Sequence, residues 1–560
     1  MRYQPISPLG NVGEIKLPED KIEVSGSTDI LVPSLNGVIF VDNQSMVRSP
    51  APDAVGVVIE GADLGFLRGG SFDRVVENHL RRPVSIASLN ALARDVIQYY
   101  KNNGRPVVDV SIPEQDITNG VVYVVVTEAR LGRVYFEGNR YFSSSVLGRY
   151  NTLARGQHLT ERQMLEELRW YNDSPFRRVN VELRPGQNFG ETDVVYKVKD
   201  RLPWQFYTGY DDTGTRATSL ERLSFGAIWG NAFGCNHTLS YQLTASPNFE
   251  DTVAHSAVYT VPRYNQDKFI AYGSYATNSP DFEYYNQDGY YYEMGFLYDK
   301  KLKTRYLSDD KWYDHRVNAG FQFKEITNTL DFGFFSFGND PAQVANIALG
   351  YNARLFDKYG LWSLGANLYI SPGDFSKGNS DDVMQQYRWG ADSQYTYARI
   401  RLERYRDLGS RSNNNWKLYL KGEGQAASAN LFTTEQLGMG GTNSVRGYDS
   451  YQLNFDNALL FTVELQTPPK SLGLSRCFRT QEQDMFQAVV FYDHGMGWNN
   501  HASPYVYDYK HESMNSIGAG LRYSLNPYFQ IKFDYGWQLN RDIPNNHGSG
   551  RPHLSLVFSR

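Results

Sequence analysis

A chain of 560 residues exceeds what one ordinary hydrophobic core can organise, which predicts several domains or one large barrel with appendages. It carries 41 Tyr, 31 Phe and 9 Trp at a mean hydropathy of −0.51, with no run of about 18 apolar residues, and this excludes helical membrane spans. The formal net charge of −5 argues against nucleic acid as a partner, because neutralising phosphates takes a basic surface.

A polar average with many aromatics is what a transmembrane β-barrel produces: half its strand residues face lipid, half face water, and aromatic girdles mark both interfaces. A soluble carbohydrate-binding β-protein shares the tyrosine content, so the order of elements must decide. Cys235 and Cys477 stand in neither a CxxC nor a metal-type spacing. Such low cysteine usage fits an exported bacterial protein, and a disulfide between the two is allowed but not required. Met1-Arg2-Tyr3-Gln4-Pro5 lacks the apolar core of a signal peptide, so an exported protein of this sequence is expected to be a processed chain.

Residues 1–54 contain Pro5, Pro8, Pro18, Pro33, Pro50 and Pro52 around one short apolar run, Gly37–Val41. Prolines at that density interrupt any long helix, which predicts an N-terminal extension, linker or plug segment rather than a domain. Residues 55–130 then read as a strand (Val55–Gly61), a short helix (Phe72–Leu80) and a longer helix (Ser85–Asn103) stopped by Gly104. Two strands follow, Val107–Pro113 and Val121–Thr127, with Asn119-Gly120 as the turn signal. Residues 131–202 repeat the order: strand Arg133–Glu137, helix Ser143–Tyr150, helix Thr160–Tyr171 opened by the capping pattern Thr160-x-x-Gln163, and strands Arg177–Leu183 and Thr192–Lys199. Two consecutive β-α-α-β-β units resemble POTRA domains, the periplasmic polypeptide-binding modules that precede certain outer-membrane barrels. An exposed strand edge in such a unit can take an extended client chain by β-augmentation.

After Pro203 the helical period stops. Leu223, Phe225, Ala227 and Trp229 alternate with Ser224, Gly226 and Gly230, and Phe529, Ile531, Phe533, Tyr535, Trp537 and Leu539 alternate with Gln530, Lys532, Asp534, Gly536, Gln538 and Asn540. Period two with charges on the second face describes strands with lipid outside and water inside. About sixteen such runs fit between Trp204 and Arg560, which predicts a 16-stranded antiparallel membrane barrel over 203–560. Short joints such as Phe356–Gly360 and Asn526–Tyr528 alternate with the long connections Gly373–Asp392, Ser428–Asp456 and Trp498–Ser513; Thr304–His315 and Lys470–Met485 are longer than short-side turns usually are.

The connection 428–456, between the eleventh and twelfth strands, holds Gly440-Gly441-Thr442-Asn443-Ser444-Val445-Arg446-Gly447-Tyr448-Asp449. Glycines around one arginine suit a tightly turned loop that delivers a guanidinium to a fixed acceptor. The thirteenth strand supplies one: if Val490 and Tyr492 face lipid, Phe491 and Asp493 face inward. A loop folded back into the lumen would let Arg446 pair bidentately with Asp493 and stack on Phe491.

Val445-Arg446-Gly447-Tyr448 after Gly440-Gly441, together with Phe491-x-Asp493-x-Gly495, resembles the paired motifs of the two-partner secretion (type Vb) transporters. This TpsB family belongs to the superfamily that includes the central outer-membrane protein assembly factor. Asp211-Asp212-Thr213-Gly214-Thr215-Arg216 resembles the family's early-barrel segment, and the resemblance covers roughly residues 55–560. It implies an outer-membrane protein of a Gram-negative bacterium with its POTRA-like domains in the periplasm. A large, unfolded secreted partner would be captured through its N-terminal secretion domain and threaded through the barrel without nucleotide hydrolysis. It further implies that Arg446 anchors the loop on Asp493 and Phe491 with Gly447 and Tyr448 shaping the tip, and that the barrel assembly machinery and outer-membrane lipid are partners in biogenesis. The sequence departs from the family twice: residues 1–54 show no clear amphipathic plug helix, and Leu554–Phe558 is followed by Ser559-Arg560 rather than ending in an aromatic. An outer-membrane barrel assembly factor is the alternative. No Ser–His–Asp arrangement, HExxH or phosphate-binding glycine loop argues for an enzyme, a metal or a cofactor.

Overall fold

The computed structural model describes residues 14–16 and 26–560, apart from 283–284, 309, 333–334, 410–414, 475–483, 505–508, 545 and 547. Cys477 lies outside the described residues, so a pairing with Cys235 does too. The chain divides into a unit up to Leu202 and a second unit over Pro203–Arg560.

In the first unit, Gly37–Val41 corrects the sequence reading of 1–54 as an extended segment. It is the inner strand of a four-stranded sheet, every residue buried, parallel to Gly56–Ile59 on one side and to Val121–Glu128 on the other; Val108–Ser111 completes the sheet antiparallel to Val121–Glu128. The prolines that suggested an extension, Pro33 and Pro50, fall on either side of the strand. A run of five residues without alternation gives no period to read, and a strand buried on both faces has none. Helices Gly70–Glu77 and Ile86–Asn102 cover one face. The second is opened by a capping box between Ser85 and Ser88, and Gly104 follows it at φ +72°.

A second sheet places Arg130–Glu137 parallel to Glu191–Asp200, which pairs antiparallel with Arg177–Pro185. Helices Ser144–Gly148 and Glu161–Tyr171 belong to it, the latter capped by Thr160, whose hydroxyl accepts from the Gln163 amide. Matched by position, the counterpart of Arg130–Glu137 is Gly37–Val41, since each lies parallel to the last strand of its domain. Gly56–Ile59, which the sequence suggested as the first strand of its unit, is an added edge.

In the second unit, sixteen wall strands among the described residues pair antiparallel with their chain neighbours. The sheet closes where Gly550–Ser559 meets Trp204–Asp211. Alternation is visible along the thirteenth strand, Met485–Trp498: Val490, Tyr492 and Met496 are exposed outward while Phe491, Asp493 and Gly495 are buried inward. The same holds on the fifteenth, Phe529–Gln538, with Phe533 and Trp537 outward and Asp534, Gly536 and Gln538 inward. At the long-loop end the connection 373–392 carries a short helix, Asp381–Tyr387. Val383 and Met384 of that helix pack with Tyr395, Leu431 and Phe432, so the start of the 428–456 loop leans on this neighbour.

Candidate functional site: the loop inside the barrel

The 428–456 loop opens with Leu437–Met439 and returns through Leu453–Phe455, two short strands paired antiparallel. Between them the chain turns through Gly440 and Gly441, at φ +99° and +89°, conformations that side chains rarely tolerate. Val445 is fully buried; its Cγ2 would stand 2.9 Å from a Cβ on Gly495, so the bare backbone at Gly495 is what admits it.

Arg446 follows, 4% exposed. Its Nε donates to Asp493 Oδ2 at 2.7 Å and its Nη2 to Oδ1 at 3.0 Å, while its backbone amide reaches the same Oδ2 at 3.1 Å. Three bonds to one fully buried carboxylate fix both the side chain and the loop backbone behind it. The guanidinium carbon lies 3.3 Å from the Phe491 ring centroid, a stacked cation–π contact. The structure therefore brings together Val445, Arg446, Phe491, Asp493 and Gly495.

Sequence reasoning missed the rest of the shell. Arg446 Nη1 also donates to Glu464 on the twelfth strand at 2.8 Å and to Asp534 on the fifteenth at 3.4 Å. Arg522 braces both carboxylates, at 3.5 Å to Glu464 and 2.6 Å to Asp534. Three glycines clear the space. A Cβ on Gly518 would meet the Phe491 ring at 2.2 Å, one on Gly520 would meet Asp534 at 1.9 Å, and one on Gly536 would meet the Gly447 amide nitrogen at 2.6 Å. Asp534 already sits on the charged face of a period-two run, the one signal in the sequence for its part.

The tip continues across the seam of the barrel. Gly447, at φ +93°, donates its amide to His553 Nε2 at 2.9 Å and its carbonyl accepts from Gln538 at 2.7 Å. Because Nε2 accepts, the His553 proton lies on Nδ1, which donates to Asp212 at 2.7 Å. Tyr448, fully buried, donates to the carbonyls of Asn515 and Asn540. Asp449 pairs with Arg216 at 2.5 Å and with Arg551 on the last strand. Asp212 and Arg216 both come from the early-barrel segment, so that segment is where the last strand and the loop tip meet the first strand.

At its root the loop has a second anchor. Glu435, 1% exposed, accepts from Lys324 at 2.6 Å, from Asn346 at 3.1 Å and from Tyr397 at 2.8 Å, on the seventh, eighth and tenth strands. Asp456 takes both Nη atoms of Arg388, at 2.7 and 3.1 Å. None of the described residues forms a group of three or more metal-type ligands.

A sixteen-stranded closed barrel with an inward loop anchored on its wall, preceded by α+β modules of the POTRA order, is the build of an outer-membrane polypeptide transporter. Residues 190–523 match the family model of the haemolysin secretion/activation proteins ShlB/FhaC/HecB, and residues 56–129 match the ShlB-type POTRA domain. The chain belongs to the ShlB/FhaC/HecB family, the outer-membrane transporters of two-partner secretion, whose POTRA domains are periplasmic. It is 21% identical to the heme/hemopexin transporter protein HuxB of Haemophilus influenzae (strain 86-028NP), over 84% of this chain and 81% of that one. It is 22% identical to the outer membrane transporter CdiB of Dickeya dadantii, over 66% and 64%. Among solved structures, CdiB from Escherichia coli shares the fold at a TM-score of 0.69 with 18% identity, over 97% of this chain and 92% of that one. CdiB from Acinetobacter baumannii does so at 0.58 with 16% identity, over 100% and 95%.

Proposed function

We propose that this transporter takes an unfolded partner exoprotein from the periplasm through its two POTRA-like domains, 55–130 with Gly37–Val41 added and 131–202, and passes it through the barrel to the cell surface. The observation that carries the reading is the buried Arg446–Asp493 pair, which holds loop 428–456 against the inner wall. A loop fixed by a handful of polar contacts in an otherwise water-wide lumen is a removable obstruction, and a polypeptide route needs one. In this reading Val445, Arg446, Gly447 and Tyr448 are the moving half of the lock and Phe491, Asp493 and Gly495 the fixed half. The passage is not catalysed: the client's folding outside supplies the direction, and no nucleotide is consumed. Of the described residues around Gly37–Val41, Val32, Leu35 and Ala51 are buried with the first domain, and the barrel reaches the outer-membrane lipid through the barrel assembly machinery.

Planar-bilayer conductance of the wild type beside a variant lacking residues 55–200, combined with mass spectrometry of the culture medium, tests the reading. Both proteins are expected to form channels, and only the full chain to release one large exoprotein. Depletion of many outer-membrane barrels by the deletion, with no single secreted protein lost, would assign the chain to barrel assembly instead.

A further inference from the structure

The outer wall of the barrel carries a groove that faces lipid. It crosses the sixth to tenth strands, Tyr285–Lys301, Lys311–Ile326, Ala342–Asp357, Gly360–Pro372 and Gln394–Asp407. The pairing register lays two outward rows side by side, one starting Tyr298, Ala319, Leu349 and the other Lys300, Val317, Tyr351. The first continues through Leu368 to Ala398, the second through Ala366 to Ile400. Tyr298, Leu349 and Ile400 are exposed, which fixes the outward sense of both rows. Between them the wall shows backbone alone, because Asn318 and Asn367 turn inward, where a Cβ on Gly350 would meet their amide oxygens at 2.5 and 2.7 Å. Ala319, Ala366 and Ala398 among larger side chains leave a groove of about 580 Å³.

The groove starts at the membrane surface and runs inward. The first barrel strand follows the periplasmic α+β modules, so even-numbered strands end at the periplasmic rim. Lys300 is the last residue but one of the sixth strand, and the Lys301 amide donates at 2.8 Å to Asp267, in the short turn between the fourth and fifth strands. Val317, Tyr351, Ala366 and Ile400, by contrast, lie six or seven residues in from the periplasmic ends of their strands. Barrel strands tilt, so a lateral row that begins at headgroup depth on Lys300 climbs into the hydrocarbon. A second cation stands at the rim: Arg305 pairs opposite Tyr313 and so shares the outward face of Val317. His315 lies between the two. Its Nε2 donates to the Lys303 carbonyl at 3.2 Å and its Nδ1 accepts from the Tyr351 hydroxyl at 3.1 Å, which ties the rim to the groove. Lys300 and Arg305 are exposed, and among the described residues neither has a carboxylate partner. Asp299, the nearest in sequence to Lys300, turns inward to Arg316 at 2.7 Å.

We infer that this groove binds an anionic phospholipid of the periplasmic leaflet, with the phosphate on Lys300 and Arg305 and one acyl chain lying over Ala319 and Ala366 toward Ile400. Charge and shape point to the same occupant. A cation at the edge of the hydrocarbon with no carboxylate beside it is matched by a lipid phosphate. The apolar trough that leads from it into the bilayer is matched by the chain attached to that phosphate. The site lies on the outer wall, and it stands whether or not the lumen carries a client.

The test uses the purified full chain in detergent, titrated separately with dioleoylphosphatidylglycerol and with zwitterionic dioleoylphosphatidylcholine and read by native mass spectrometry. The wild type is expected to retain one phosphatidylglycerol with about fivefold or greater preference over phosphatidylcholine. Lys300→Ala with Arg305→Ala should abolish the preference. Ala319→Phe with Ala366→Phe fills the groove and keeps both cations, and it should weaken phosphatidylglycerol binding by about fivefold or more. Lys358→Ala removes another rim cation, one that lies over the Tyr359 ring away from the groove, and should keep the wild-type preference. Heat-modifiable migration reports that each barrel is folded, and Lys300→Gln, which drops the charge and keeps a polar side chain, repeats the cation arm if the double variant is not. Equal retention of the two lipids by the wild type overturns the inference. So does a preference that survives loss of the cations, wild-type binding by the filled groove, or a loss in Lys358→Ala as large as in the double variant.

Discussion

The two anchors of the lumen loop solve opposite problems. At the tip a cation is buried among carboxylates: Arg446 meets Asp493, Glu464 and Asp534, with Arg522 spacing the last two. At the root a carboxylate is buried among donors: Glu435 meets Lys324 and three neutral groups, Asn346, Tyr397 and Thr434. The tip is built on a planar fork whose bonds have one geometry, and glycines on the facing strands are cut to receive it. At Glu435 the root uses a flexible ammonium with hydroxyl and amide donors, which hold at several geometries, beside the planar Arg388–Asp456 fork. On the transport reading proposed above, the difference makes the tip the part that defines position and Glu435 the part that would tether the loop.

Breaking the tip is expected to have the largest effect. Arg446→Ala leaves Asp493 buried and without a cation, at a cost of about 3–5 kcal/mol to the docked loop. Secretion should fall severely, loop 428–456 should become cleavable from outside by added protease, and the barrel should still show heat-modifiable migration on gels. Wild-type secretion by this variant would remove the lock from the mechanism. Gly447→Ala comes next. Its Cβ would sit 2.7 Å from the Gly536 carbonyl oxygen at φ +93°, so roughly 1–3 kcal/mol of strain is expected with every charge retained. Protease exposure of the loop should rise less than in Arg446→Ala.

The root sharpens the comparison through a double substitution. Glu435→Ala alone strands Lys324 and takes the acceptor from three neutral donors, a loss of about 3 kcal/mol. Adding Lys324→Met removes the stranded charge, and at least half of that loss should return in thermal unfolding of the barrel followed by circular dichroism. Arg446→Ala should show no such rescue from Asp493→Leu, because Glu464 and Asp534 stay close to Arg522 in an arrangement that Arg446 completes. Additive losses at the root would contradict its description as a simple tether.

What was legible in the sequence follows from the range over which each signal acts. Parity along one strand is local, so Asp493 and Phe491 turn inward together and Arg446 on a glycine-rich loop has a readable acceptor. Glu464, Asp534 and His553 come to the same place through the pairing register of strands twelve to sixteen and the return of the loop across them, and no local period encodes which strands face one loop tip. Gly518, Gly520 and Gly536 read as ordinary small residues of an alternating strand; their meaning is the volume they leave for Phe491, Asp534 and Gly447. Gly37–Val41 was missed for the converse reason. The surrounding prolines are a strong local signal, but a central strand between parallel neighbours is held by non-local pairing, and the prolines lie outside it.

The smallest effect is expected where the tip crosses the seam. Asp449 is held by two arginines, and they differ in setting: the Arg216 side chain is 50% exposed, whereas that of Arg551 is 13% exposed. An exposed guanidinium is screened and contributes at most about 1 kcal/mol, so Arg216→Ala should leave the loop docked and secretion near normal. Arg551 also reaches Asp212, the carboxylate that orients His553 toward the Gly447 amide. Arg551→Ala therefore loosens both the Asp449 contact and the histidine behind the tip. Its effect on loop protection should exceed that of Arg216→Ala, though it should stay below that of Arg446→Ala. Salt separates the two pairs, because raising ionic strength in the protease assay should lower loop protection in Arg551→Ala, where only the exposed pair still holds Asp449, and leave Arg216→Ala nearly unchanged. Equal salt sensitivity in both variants would mean that the seam contacts act as one screened cluster rather than as an exposed pair beside a buried one.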